Sequence, residues 1–167
     1  MKLPDAEQLC EQLARELKPH LGSKSAMIGI HTGGAWLAER LHAMLGIGEA
    51  LGLMDIAFYR DDYHAQGLHH DPKRTRIPFD VTGRDLLLVD DVLYTGRTVR
   101  AAMNELFDYG RPESIALVVL AERGGRQLPI CAQYCGARIE VPTGMRLRLK
   151  RAEDGKLGLA LEPTRGA

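Results

Sequence analysis

The sequence predicts an α/β fold in which helices flank a parallel sheet. Two observations carry this: short apolar runs alternate with segments of helical spacing, and those runs are apolar on both faces, as strands covered on two sides must be. A third is length: 167 residues suit one domain with a single continuous core.

From the start, Leu9, Leu13, Ala14 and Leu17 recur at helical spacing, with Asp5 as N-cap and Pro19 and Gly22 as stops, which predicts a surface helix over 5–18. Ala26-Met27-Ile28-Gly29-Ile30 reads as a buried strand. It runs through Thr32-Gly33-Gly34 into a helical pattern of Leu37, Leu41, Met44 and Leu45. Gly46 to Gly52 only loosely resembles a dinucleotide fingerprint and reads as a helix exit. A strand is expected over Met54–Tyr59, then a long polar loop from Arg60 to Arg84; loops of that length are commonly functional.

Asp85-Leu86-Leu87-Leu88-Val89-Asp90 is a further strand, and Val99, Ala102, Met103 and Leu106 mark a helix from Thr95 to Tyr109, closed by Gly110. Ser114 to Ala121 is another buried strand. Alternation from Met145 to Lys150, a Glu153-Asp154-Gly155 turn and Leu157 to Leu161 predict a terminal antiparallel hairpin with one wet face.

Composition excludes more than it assigns. The 22 basic and 22 acidic residues cancel, so no global positive field announces a nucleic-acid partner. No stretch approaches the ~18 apolar residues of a membrane span, and Met1 to Glu16 has no signal-peptide run, so the cytoplasm is the expected compartment. Cys10, Cys131 and Cys135 are an odd count and read as reduced core thiols. His64, His69, His70 and Asp71 fall within the long loop without firm metal-ligand spacing.

The chemistry is expected where a buried strand ends in Asp90 and Asp91 and turns through Val92-Leu93-Tyr94-Thr95-Gly96-Arg97-Thr98 into a helix. Ligands of open parallel sheets bind beyond the carboxyl ends of strands. Backbone amides at the helix start, joined by the Thr95 and Thr98 hydroxyls, make a cup for a phosphate monoester, and the paired carboxylates accept from sugar hydroxyls. A plain strand and capped helix, with Asp91 and Thr95 as cap and turn residues, is the competing reading.

Val89 to Arg100 resembles the phosphoribosyl-pyrophosphate motif of type I phosphoribosyltransferases, in the version of the bifunctional pyrimidine operon regulator/uracil phosphoribosyltransferase family. Tyr59-Arg60-Asp61-Asp62, Gly110-Arg111-Pro112 and Glu122 to Ile130 are similar to further blocks of that family, in the same order. The resemblance implies a type I phosphoribosyltransferase fold, with a flexible loop over about 60–84 and a small hood built partly from about 122–167. It implies transfer of ribose 5-phosphate to uracil, giving UMP and pyrophosphate, with Mg2+ held mainly by the substrate. A UMP-sensing regulator with little turnover is the alternative. It also implies leader-RNA binding and a homodimer or larger homo-oligomer.

By the same resemblance, Asp90, Asp91 and Arg60 are catalytic, with Asp61 and Asp62 beside Arg60 in the flexible loop and Arg74 and Arg76 as weaker candidates. His31, Thr32, Gly33 and Gly34 form the pyrophosphate loop, which in this superfamily often holds a cis non-proline peptide. Arg123 and Val119 meet the base. The sequence departs from the family at two places: Gly33 stands where the pattern has arginine, and Gly125 where it has histidine. The first removes a charge from the pyrophosphate loop, although paired glycines still supply a backbone anion nest. A stripe of Arg146, Arg148, Lys150 and Arg151, with Arg138 before it, reads either as an RNA-facing surface or as a solvated edge.

Overall fold

The fold follows from strands that bury both faces and helices that bury one. The computed structural model describes residues 2–56 and 75–164. Five strands, β1 (Ser25–Ile30), β2 (Gly52–Met54), β3 (Asp85–Leu93), β4 (Ser114–Glu122) and β5 (Tyr134–Arg138), form one sheet in the order β2-β1-β3-β4-β5. All neighbours are parallel. Helices α1 (Ala6–Leu17), α2 (Gly33–Leu45) and α3 (Arg97–Tyr109) cover it.

Strand periodicity divides the core in two. Met27, Leu87, Val89, Val118 and Leu120 point to the layer of α1 and α2, packing with Leu9, Leu13, Leu37 and Leu41. Their immediate neighbours Ile28, Leu86, Leu88, Leu117 and Val119 point to α3, against Val99, Ala102 and Leu106. Each strand therefore feeds both layers, which is why its sequence is apolar throughout. Asp5 caps α1 as expected, its carboxylate accepting from the Glu7 amide at 2.8 Å and the Gln8 amide at 3.3 Å.

A separate antiparallel pair, β6 (Met145–Arg151) and β7 (Leu157–Pro163), forms the expected hairpin, with Leu147 opposite Leu161 and Leu149 opposite Leu159. Its apolar face packs onto both the α1/α2 layer and a small cluster around Ala121 and Ile139. Polar ties fasten it. The Leu157 amide donates to Glu7 at 2.7 Å, and Arg40 donates to the Gly155 carbonyl at 3.1 Å.

Several expectations are corrected. β2 is Gly52–Met54, earlier than the strand read at Met54–Tyr59, and residues 57–59 lie outside the described residues. Gly52, read as part of the helix exit, starts this strand; Gly46 alone caps α2, at φ 61°. Of the long loop, 57–74 lies outside the described residues, but 75–84 is packed. Arg76 bridges Leu53 through two 2.8 Å backbone hydrogen bonds, and Val81 is fully buried with Ile77 and Phe79 against the α3 layer. Three apolar residues at a spacing of two, separated by polar ones, conceal this anchor in a charged stretch. β5, within the segment assigned to the hood, is an edge strand of the main sheet. α3 starts at Arg97 rather than Thr95, because Gly96 at φ 91° is left-handed and cannot belong to the helix.

The thiols also separate. Cys10 is buried, Cys135 is half-buried and Cys131 is exposed, so Cys131 is not a core thiol. Burial, with Glu7 nearby, pushes the Cys10 thiol up to about 12. Timed maleimide labelling read by mass spectrometry is expected to modify Cys131 first and Cys10 only after unfolding.

Candidate functional site

Because β1 and β3 are adjacent and parallel, the turns that leave their carboxyl ends must meet. Gly29 pairs with Val89, and beyond that register β1 turns at Thr32 into α2 while β3 continues to Leu93 and turns into α3. The two turns touch at Gly33 and Gly34. A Cβ at Gly34 would lie 2.6 Å from the Val89 carbonyl oxygen and 2.9 Å from the Asp90 Cα. One at Gly33 would lie 2.3 Å from Asp91 Oδ2. Glycine is required here by close backbone approach and by the carboxylate lodged against it. The peptide joining His31 and Thr32 is cis.

Above this contact is a cleft of about 970 Å3. Thr32 and Gly33 line it from one side, and Asp90 through Thr98 line its floor. Arg123 and the hairpin residues Met145 to Lys150 supply the opposing wall. Neither α2 nor α3 has a side-chain N-cap: Thr32 and Gly96 occupy the cap positions without a capping hydrogen bond. Two helix starts, with their positive dipole ends, therefore open on the same space. Of the competing reading of Asp91 and Thr95 as cap and turn residues, the cap position belongs to Gly96, while Thr95 is a turn residue that takes the Arg97 amide.

Asp90 is buried at 3% exposure, and its Oδ1 accepts from the Asp91 amide at 3.0 Å. Asp91 is half-buried and lies against Gly33. Thr95 Oγ1 accepts from the Arg97 amide at 3.2 Å. The Thr95 carbonyl accepts from the Gln127 and Leu128 amides at 3.0 and 3.1 Å, and Arg97 donates to the Gln127 side chain at 2.9 Å. Segment 122–128 thus clasps the turn 94–97. Arg126 completes the clasp, donating to the Tyr94 carbonyl and pairing with Glu122.

Arg123 stacks its guanidinium over the Tyr94 ring at 4.1 Å and donates to the Met145 carbonyl at 3.2 Å. Gly125 also approaches that ring. A Cβ there would lie 2.4 Å from Tyr94 Cε2, and φ is 107°. The residue read as a departure from the family is what lets Tyr94 occupy its place.

The structure brings together Asp90 to Thr98, Thr32, Gly33 and Arg123. Gly34 lies just beneath, buried, and His31 precedes them on the same turn. Val119 is a correction: its side chain is fully buried in the α3 layer and does not reach the cleft. Arg60, Asp61, Asp62 and Arg74 lie outside the described residues. Sequence reasoning passed over Trp36, Met145 and Arg126; only the clustering of glycines and arginines at 123–126 hinted at the last.

This combination of a parallel sheet, a glycine turn after β1 and an acid-acid-turn-helix after β3 defines a phosphoribosyl-transferring domain. The family described as phosphoribosyl transferase domain matches residues 2–143. The chain belongs to that family and, within it, to the bifunctional PyrR proteins. It is 44% identical to the bifunctional protein PyrR of Pseudomonas aeruginosa strain LESB58 over 166 residues, covering 97% of this chain and 95% of the relative. It is 51% identical to that of Nitrosococcus oceani over 129 residues, covering 76% and 73%. Among solved structures, a hypoxanthine phosphoribosyltransferase from Staphylococcus aureus superposes with a TM-score of 0.66 at 22% identity, covering 81% of this chain and 73% of that one. A purine phosphoribosyltransferase from Pyrococcus horikoshii gives 0.59 at 23%, covering 81% and 85%. These two likenesses bear on the fold.

The contact between the loops has a direct test. Gly34→Ala is expected to cost about 1–3 kcal/mol in urea denaturation, because both atoms it meets are backbone. Gly124→Ala, with nothing within 4 Å of the added Cβ, is expected to leave the midpoint unchanged.

Proposed function

We propose that this chain transfers ribose 5-phosphate from phosphoribosyl pyrophosphate to uracil, forming UMP and pyrophosphate. The observation that carries the reading is the placement of two uncapped helix starts and the Asp90/Asp91 pair around one cleft. A pentose with phosphate at one end, a diol in the middle and a second phosphate group at the other matches that order of groups.

In this reading the amides of residues 94–98, with the Thr95 and Thr98 hydroxyls, hold the 5-phosphate. Asp90 and Asp91 accept hydrogen bonds from the ribose hydroxyls, close to the anomeric carbon. As the bond from that carbon to pyrophosphate oxygen breaks, the ribose becomes cation-like, and uracil N1 supplies the electron pair for the new bond and gives up its proton. Carboxylates fixed before the reaction stabilise that developing positive charge without reorganising. The amides of 32–34 receive the departing pyrophosphate, and Arg60 is assigned a contact to it. Arg123, held flat against Tyr94, borders the slot for the pyrimidine ring, and neighbouring main-chain groups read its edge.

Among the described residues no group of three or more His, Cys, Asp or Glu forms a metal cage. The oxygen donors of Asp90 and Asp91 fit Mg2+ as outer partners, with the ion carried mainly by substrate oxygens and water. When bound, Mg2+ neutralises pyrophosphate charge.

Incubation with labelled uracil, phosphoribosyl pyrophosphate and Mg2+ is expected to yield UMP. Asp91→Asn is expected to lower kcat/KM roughly 10- to 100-fold, the loss of a charged hydrogen bond. Absence of product with intact UMP binding would replace the enzyme by a nucleotide-sensing regulator.

The second function, leader-RNA binding, rests on membership among proteins named bifunctional. The cationic stripe read from the sequence lends it less than expected. Arg146, Arg148 and Lys150 all pair with Glu162, Arg151 pairs with Glu39 at 3.1 Å, and Arg138 lies 3.7 Å from Glu122. Filter binding at two salt concentrations is expected to show preference for a pyrimidine leader over scrambled RNA, with affinity falling as salt rises.

A further inference from the structure

The pyrophosphate loop of this chain carries neither lysine nor arginine, and the space a side chain at Gly33 would enter is occupied by the Asp91 carboxylate. With Asp90 and Asp91 on the floor, a pyrophosphate group arriving there meets two negative charges and, from its own loop, only backbone amides. Beyond the contact assigned to Arg60, which lies outside the described residues, further counter-charge must come from the cleft walls. Among the described residues that line the cleft, the cations are Arg97, Arg123, Arg146, Arg148 and Lys150. Arg97 is engaged with Gln127, and Arg123 with Tyr94 and Met145.

The remaining cations sit on β6. Alternation places Arg146, Arg148 and Lys150 on one face of the hairpin while Leu147 and Leu149 are buried on the other. Across the ladder from Arg148 and Lys150 stand Ala160 and Gly158, so no bulky side chain of β7 covers the two cations. Glu162, opposite Arg146, is the shared carboxylate of all three. Lys150 bonded to it, with Arg148 and Arg146 nearby, holds its carboxyl below the usual range, so it stays ionised and the face keeps an excess of positive charge.

The position of β6 is set from the side of the pyrophosphate loop. Arg151 stacks over Trp36 at 4.9 Å and pairs with Glu39, both on α2. Trp36 belongs to the first turn of that helix, its amide donating to the Thr32 carbonyl at 3.3 Å. The strand bearing the cations is thus moored to the helix that the loop begins.

We propose that Arg148 and Lys150 form a diphosphate subsite, taking the pyrophosphate group of the substrate across the cleft in place of the charge absent at Gly33. This rests on the phosphoribosyl-transfer reading of the same cleft. The amides of 32–34 orient the group, and the hairpin cations supply its counter-charge; Glu162 holds them together when the subsite is empty.

Calorimetric titration with inorganic pyrophosphate and, separately, UMP in Mg2+ buffer tests it. Arg148→Gln with Lys150→Gln is expected to weaken pyrophosphate about ten-fold or more and raise the KM for phosphoribosyl pyrophosphate in parallel, with UMP affinity unchanged. Glu162→Gln, which disturbs the same ladder but leaves the cations, is expected not to weaken pyrophosphate. Unchanged pyrophosphate affinity in the double variant overturns the proposal, as does an equal loss of UMP or an equal weakening by Glu162→Gln, either of which marks the effect as structural. Loss of leader RNA with pyrophosphate retained also overturns it and makes the face an RNA surface. Should the wild type bind pyrophosphate through these residues yet form no UMP, the subsite stands and the uracil-transfer reading falls.

Discussion

The contact between two turns at neighbouring strand ends governs the site. β1 and β3 are hydrogen-bonded in parallel register, so the backbone after Ile30 and the backbone after Val89 leave the sheet side by side. Gly33 and Gly34 allow them to touch, with the Asp91 carboxylate lodged where a side chain at 33 would stand. Both helix starts and both carboxylates inherit their positions from that contact. A larger residue at 34 pushes on backbone and displaces the cup and the acids together.

A second layer of order comes from 122–128, which is remote in sequence from the turn it holds. Its amides and the Arg126 guanidinium take the Thr95 and Tyr94 carbonyls, so acceptors near the start of α3 are satisfied by a neighbouring loop. Arg123 links this clasp to the hairpin through the Met145 carbonyl, and Tyr94 is in contact with both Arg123 and Gly125. The floor, the clasp and the hairpin wall are one connected arrangement.

The hairpin shows how electrostatics can be redistributed without a change of fold. Its Leu149 and Leu157 bury against the α1/α2 layer, its ends are tied to Glu7, Glu39 and Arg40, and residues Met145 to Lys150, leucines and cations alike, border the cleft. One carboxylate shared among three cations limits their repulsion while leaving the face positive. A loop without a cation at Gly33 and a strand rich in cations thus border the same cleft.

Much of this was legible in one dimension, because burial on both faces writes an unbroken apolar run and a buried helix face writes its period. The parallel strands β1, β3 and β4, the three helices, the terminal hairpin, and the acids and turn at 90–98 all follow from such local signals. Short or interrupted elements did not: β2 is a three-residue strand, β5 is half-buried at an edge, and the Ile77-Phe79-Val81 anchor is broken by polar residues. Nor does a resemblance say which face of a strand meets which partner: Val119, expected at the base by resemblance, belongs to the α3 layer. What only the tertiary structure decided is proximity between distant segments: Gly33 against Asp91, Gly125 against Tyr94, Arg151 over Trp36, and Glu162 among Arg146, Arg148 and Lys150. Those contacts depend on the register and crossing of whole elements, and no local pattern of residues encodes them.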